Sequence, residues 1–132
     1  MKRLFKAKAK TRRSPKRKDR MKEKTRMKII TYNKLVRDRI PEIIEAEGKE
    51  CSIAVLSDEE YLKMIDEKLD EELAEYQESK SLEELADLLE VMRAVVKAHS
   101  WTWEQLEQVR QEKAAKRGGF EQKILLKEVI EK

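Results

Sequence analysis

From residue 57 onward, apolar residues recur every three or four positions, in three stretches that each open on a capping signature. Ser57-Asp58-Glu59-Glu60 is a capping box and predicts a long helix to about Glu78. Ser81-Leu82-Glu83-Glu84 predicts a second to about His99, and Thr102-Trp103-Glu104-Gln105 a third that stops at Gly118-Gly119. The first carries Leu62, Leu69, Leu73 and Tyr76 on one face, with Glu72 at its border, roughly in line with Ile65. The second carries two apolar stripes, Leu82/Leu85/Leu89/Met92/Val96 and Leu88/Val91/Val95, so it is expected to be covered on most sides. Upstream, Glu42–Glu47 reads as a short helix with Pro41 in its first turn and Gly48 at its end. Cys51–Leu56 reads as a short strand or an extended connector, and Phe120–Lys132 carries enough apolar residues to pack back on the helices. The expected fold is all-α, an antiparallel helical bundle with short extended segments at both ends.

Composition agrees with a helical domain: 132 residues, 44% charged, 5% aromatic, three glycines and two prolines. No apolar run reaches the roughly 18 residues of a membrane span, and no apolar run follows the N-terminal charges as in a secretory signal. A soluble cytoplasmic protein with no membrane partner is expected, and a single cysteine, Cys51, fits a reducing compartment. The net charge of +4 hides a division. Residues 1–26 hold fourteen Lys/Arg against Asp19 and Glu23, a net of +12, whereas residues 27–132 sum to −8. Like-charge repulsion and the scarcity of apolar residues make 1–26 an expected disordered tail. It would contact nucleic acid nonspecifically or serve merely as an upstream extension, Met21 and Met27 being alternative starts.

The chemistry concentrates where two helices meet. Glu71-Glu72-Leu73-Ala74-Glu75 ends the first and Glu84-Leu85-Ala86-Asp87 opens the second. Glu72/Glu75 and Glu84/Asp87 are each three apart, about 4.5 Å along the axis, and so share a face. Folding the helices antiparallel about Ser79/Lys80 brings Glu75 level with Glu84 and Glu72 level with Asp87. Four carboxylates then converge, and a hard divalent cation such as Mg²⁺, with Mn²⁺ as a substitute, relieves their repulsion and suits a phosphate substrate. Glu71 is placed to act as a base and Glu90 is a further candidate ligand. The alternative is a buried cation neutralising the acids, Lys68 or Arg93. Lys113 and Arg117, four apart near a helix C-terminus, suit either phosphate oxygens or the helix dipole, with Lys34 and Arg37 as partners. Trp101 and Trp103 suit packing or base stacking, and His99 closes a helix as a dipole partner.

These residues carry a resemblance. Tyr32-Asn33-Lys34-Leu35-Val36-Arg37-Asp38-Arg39-Ile40-Pro41, Leu56 to Tyr61, the two acidic signatures and Lys113-x-x-x-Arg117-Gly118-Gly119-Phe120 follow in order over roughly 100 residues. Together they resemble the MazG-like all-α nucleoside triphosphate pyrophosphohydrolases, in a small single-domain branch similar to phosphoribosyl-ATP pyrophosphohydrolase. The resemblance implies a catalytic domain over 27–132, Mg²⁺ held by Glu72, Glu75, Glu84 and Asp87, and Glu71 and Glu75 serving catalysis. It implies hydrolysis of a nucleoside triphosphate to monophosphate and diphosphate, with Lys34, Arg37, Lys113 and Arg117 on the substrate. A house-cleaning role on non-standard nucleotides and a homodimer or homotetramer follow by the same analogy. Two departures stand out: only Tyr76–Glu83 separates the acidic signatures, and the basic extension is atypical. Competing expectations are a phosphoribosyl-ATP pyrophosphohydrolase, a nonenzymatic helical protein that binds nucleic acid through 1–26, and a helical interaction module with surface acids.

Overall fold

The computed structural model describes residues 10–13, by backbone path, and 27–132. Helices dominate, as expected. A two-stranded antiparallel ribbon pairs β1 (Lys10–Arg13) with β2 (Lys28–Thr31), in the register Lys10 opposite Thr31 and Arg13 opposite Lys28. The helices α1 (Ile40–Ala46), α2 (Asp58–Ser79), α3 (Leu82–Ala98) and α4 (Trp103–Arg117) follow. β1 falls inside the basic segment expected to lack structure. Strand pairing uses backbone hydrogen bonds, which basic side chains do not prevent. The rest of that segment lies outside the described residues. Cys51–Leu56 forms neither strand nor helix, and the half-buried Cys51 thiol lies 4.0 Å from the Pro41 carbonyl.

Local signals set the helix ends. The Ser57 and Glu60 side chains each engage the other's backbone N–H, and Thr102 and Gln105 do the same at α4. Ser81 Oγ accepts the Glu84 N–H at 3.2 Å. Between α2 and α3 the chain turns on Lys80, left-handed at φ 54°, whose N–H reaches the Tyr76 carbonyl at 2.7 Å. Lys80 and Ser81 alone connect the two helices.

α2 and α3 form an antiparallel hairpin, with Asp66 beside His99 at one end and Glu72 beside Glu84 and Asp87 toward the other. Ile65 and Glu72, seven residues apart, are the most deeply buried positions of α2, and Val96 is the counterpart on α3. The seam therefore follows the Ile65/Glu72 line, and Leu73, expected inside, is largely exposed. On α3 the Leu88/Val91/Val95 stripe is half-buried. The other stripe is not covered: Leu82, Leu85, Leu89 and Met92 stand exposed, which corrects the expectation of burial on most sides. α4 packs on α3, with the Arg93 guanidinium 4.8 Å from the centre of the Trp103 ring. Residues 120–132 are exposed throughout and do not pack back on the helices. No helix among the described residues is long and apolar enough to cross a membrane.

Candidate metal centre

Glu72, Glu84 and Asp87 converge, each offering a carboxylate oxygen, all within 4.8 Å of one another. Ser81 fixes the first turn of α3, so Glu84 emerges at the helix N-terminus, where the dipole favours an anion. Asp87 follows one turn later on the same face. Glu72 meets them from α2 and is only 4% exposed. Glu75 lies outside this trio and is half-buried. Three residues of helix advance about 300°, so Glu75 sits about 60° from Glu72, on the side away from Ile65 and the seam.

The trio's chemistry suits a hard divalent cation: oxygen donors only, no sulfur or nitrogen. Ligand oxygens at about 2.0–2.1 Å from Mg²⁺ lie at most about 4.2 Å apart, so the cluster would tighten by about 0.6 Å or less. Waters and phosphate oxygens would complete the shell.

Cations already bracket these acids. Lys68 Nζ lies 3.2 Å from Glu71 and 3.4 Å from Glu72, confirming one of the two expected neutralising residues. The other, Arg93, is engaged with Trp103 instead. Lys34 Nζ donates to Glu71 Oε2 at 2.7 Å, and Arg37 donates to Asp87 at 2.6 Å. The opening motif is thus folded onto the acidic helices. Among the described residues, Glu71, Glu72, Glu84 and Asp87 face Lys34, Arg37 and Lys68.

Glu71 has one oxygen on each lysine. Burial pushes its carboxyl up, but the Lys34 hydrogen bond and the Lys68 charge outweigh burial and hold it below its usual range. It is a weaker base than an unpaired glutamate, and accepting a proton requires a lysine to let go. A cleft beside it is lined by Asn33, Lys34, Leu35, Met64, Glu67, Lys68 and Glu71.

The remaining candidates lie elsewhere. Lys113 and Arg117 are exposed on the second half of α4, and neither forms an ion pair with the acidic trio among the described residues. Glu90 is exposed and outside the trio. His99 stacks on Trp101 with ring centroids 5.0 Å apart, and its Nε2 lies 3.9 Å from Asp66. Lys68 is the residue whose part in the site was undervalued. Its spacing of three and four residues from Glu71 and Glu72 was the available signal.

No family profile matches this chain, and no solved structure does. A protein of Mycolicibacterium smegmatis (strain ATCC 700084 / mc(2)155), described only as uncharacterized, is 61% identical over 41 residues. That match covers 31% of this chain and 42% of that protein, so the chain spans less than half the length of the relative.

Proposed function

We propose that residues 27–132 act as a Mg²⁺-dependent nucleoside triphosphate pyrophosphohydrolase of the MazG-like all-α type, on non-standard nucleotides. The observation that carries the reading is the convergence of Glu72, Glu84 and Asp87, with Glu72 buried, Arg37 and Lys68 paired to the trio, and Lys34 paired to the adjoining Glu71. An anionic pocket rimmed by Lys34, Arg37 and Lys68 has the charge order a metal–triphosphate pair requires. Glu72, Glu84 and Asp87 would hold the ion. Bound there, Mg²⁺ (or Mn²⁺) neutralises phosphate charge and acidifies a water.

The chain's own residues have definable tasks. Arg37 and Lys34 would exchange their carboxylates for phosphate oxygens, Arg37 through its planar fork and Lys34 as a point charge. Release of Lys34 frees Glu71 Oε2 and raises the basicity of that carboxylate, so substrate arrival itself would prepare Glu71 to orient or deprotonate a water. Glu75, a turn away on α2, would assist by hydrogen bonding. Lys113 and Arg117 would join only through α4 of a neighbouring copy or through movement of α4.

The test is diphosphate release from a panel of standard and damaged nucleoside triphosphates, with Mg²⁺, Mn²⁺ or chelator. Mg²⁺-dependent release that is lost in Glu72→Gln, with helical circular dichroism intact, supports the proposal. Release that is absent across the panel, or unchanged in Glu72→Gln, overturns it.

One set of observations favours a second reading. The Lys34–Glu71, Lys68–Glu72 and Arg37–Asp87 pairs are also what a purely structural ion-pair network would show. In that case Mg²⁺ would neither bind nor stabilise the fold.

A further inference from the structure

We infer that the β1–β2 ribbon is a docking element for duplex DNA, its cations meeting the phosphates that wall the major groove. The ribbon stands apart from the helices. Among the described residues each of its strands packs on the other and on no helix, and Lys28, Ile29 and Ile30 are exposed. Completing the helical core is therefore not what the pairing serves.

Charge says what it does serve. Lys10-Thr11-Arg12-Arg13 and Lys28-Ile29-Ile30-Thr31 carry four cations and no carboxylate. The register sets Arg13 directly opposite Lys28. Like charges facing across a strand pair destabilise it, whereas a ribbon built only for structure gains from opposite charges there. With no acid in either strand, relief has to come from outside the ribbon. Acids along the helical hairpin have cations of their own: Lys34 pairs with Glu71, Lys68 with Glu72 and Arg37 with Asp87. Residues 1–26, which include β1, sum to +12, and residues 27–132 sum to −8. An external polyanion is thus drawn to the ribbon and repelled by the helices, which orients the domain as it arrives.

Geometry narrows the polyanion to duplex DNA. Two strands about 4.8 Å apart form a ribbon that enters the major groove of B-form DNA, about 12 Å wide. The corresponding groove of an RNA duplex is too narrow for it. Single strands are held chiefly by stacking on aromatic side chains, and neither strand carries an aromatic residue. An anionic membrane surface selects an amphipathic helix rather than a strand pair. The inference is independent of the metal-site reading.

Its test uses the full chain in chelator. Fluorescence anisotropy compares a labelled DNA duplex, one of its single strands and an RNA duplex across a salt series, and sedimentation with phosphatidylserine vesicles gives the membrane arm. The DNA duplex should bind most tightly. Arg12→Ala/Arg13→Ala, which removes two phosphate contacts, should reduce the steepness of log K against log salt by about 1.8 and weaken binding roughly 60-fold at 0.1 M salt. Ile29→Pro/Ile30→Pro keeps every charge but breaks the pairing, because one of two adjacent strand residues donates its N–H to the partner strand. It should weaken duplex binding at least tenfold while helical circular dichroism is retained. Absence of duplex binding, binding undiminished by either double variant, or equal or tighter binding to the single strand, the RNA duplex or the vesicles overturns the inference. The arginine variant keeps the test sound should the prolines unfold the chain.

Discussion

Replacing Glu72 by glutamine keeps the side chain's shape and removes one charge from the most buried point of the acidic trio. With an effective dielectric of about 20, the Lys68 ammonium at 3.4 Å attracts the carboxylate by about 5 kcal/mol. Glu84 and Asp87, within 4.8 Å, each repel it by at least about 3.5 kcal/mol. Arg37 offsets part of the Asp87 term, though it is more than half exposed and therefore screened. Among the described residues the repulsion thus matches or exceeds the attraction, and solvent screening shrinks both. Without metal, Glu72→Gln should therefore change stability little, on the order of 1 kcal/mol, or about 4–8 °C in Tm. Mg²⁺ at about 100 times its Kd should add about 2.7 kcal/mol to the wild type, an upward shift of roughly 10–20 °C. Glu72→Gln should gain less than half of that. Thermal unfolding in chelator and across a Mg²⁺ series reads both quantities. Equal shifts in the two proteins, or none in either, would refute the assignment of Glu72 as a ligand.

Three further outcomes follow from the same geometry. Lys68→Met leaves Glu71 and Glu72 without their shared cation and should cost about 3–5 kcal/mol in urea unfolding, more than any single acid-to-amide change in the cluster. Glu71 has its carboxyl held below the ordinary value of 4.5, so its contribution to stability is present above that pH and lost as the pH falls through the lower folded value. Glu71→Gln should flatten the acid limb of the stability curve below about pH 4.5, read by denaturant midpoints from pH 3 to 7. Starting the chain at Met27 should preserve Mg²⁺-dependent diphosphate release while removing salt-sensitive binding to nucleic acid, measured by activity assay and fluorescence anisotropy.

The parts of this architecture that depend on neighbouring residues were legible before the fold. Ser57, Ser81 and Thr102 cap helices through hydrogen bonds three residues long, so their positions follow from local spacing alone. The meeting of Glu72 with Glu84 and Asp87 was legible for a similar reason, since a two-residue connection leaves few ways to pair the helices. Whether Glu75 joins them was not legible, because its direction depends on which line of α2 forms the seam, a choice made by packing Ile65 rather than by carboxylate spacing. β1 and β2 escaped notice because their pairing joins residues about twenty apart through backbone groups, and no side-chain period announces it. The outward stripe of α3 shows the converse limit. Periodicity says that Leu82, Leu85, Leu89 and Met92 share a face, but not whether the chain itself provides something to cover it.

The Lys80–Ser81 connection acts as the ruler of the acidic trio. One residue added or removed there would turn α3 by about 100° against α2, sending Glu84 and Asp87 around the barrel of their helix and out of reach of Glu72. Both helices would still form, since their caps and apolar periods are untouched. The protein would then keep its shape in outline and lose its acidic cluster, so this bend tolerates exchange of side chains far better than any change in length.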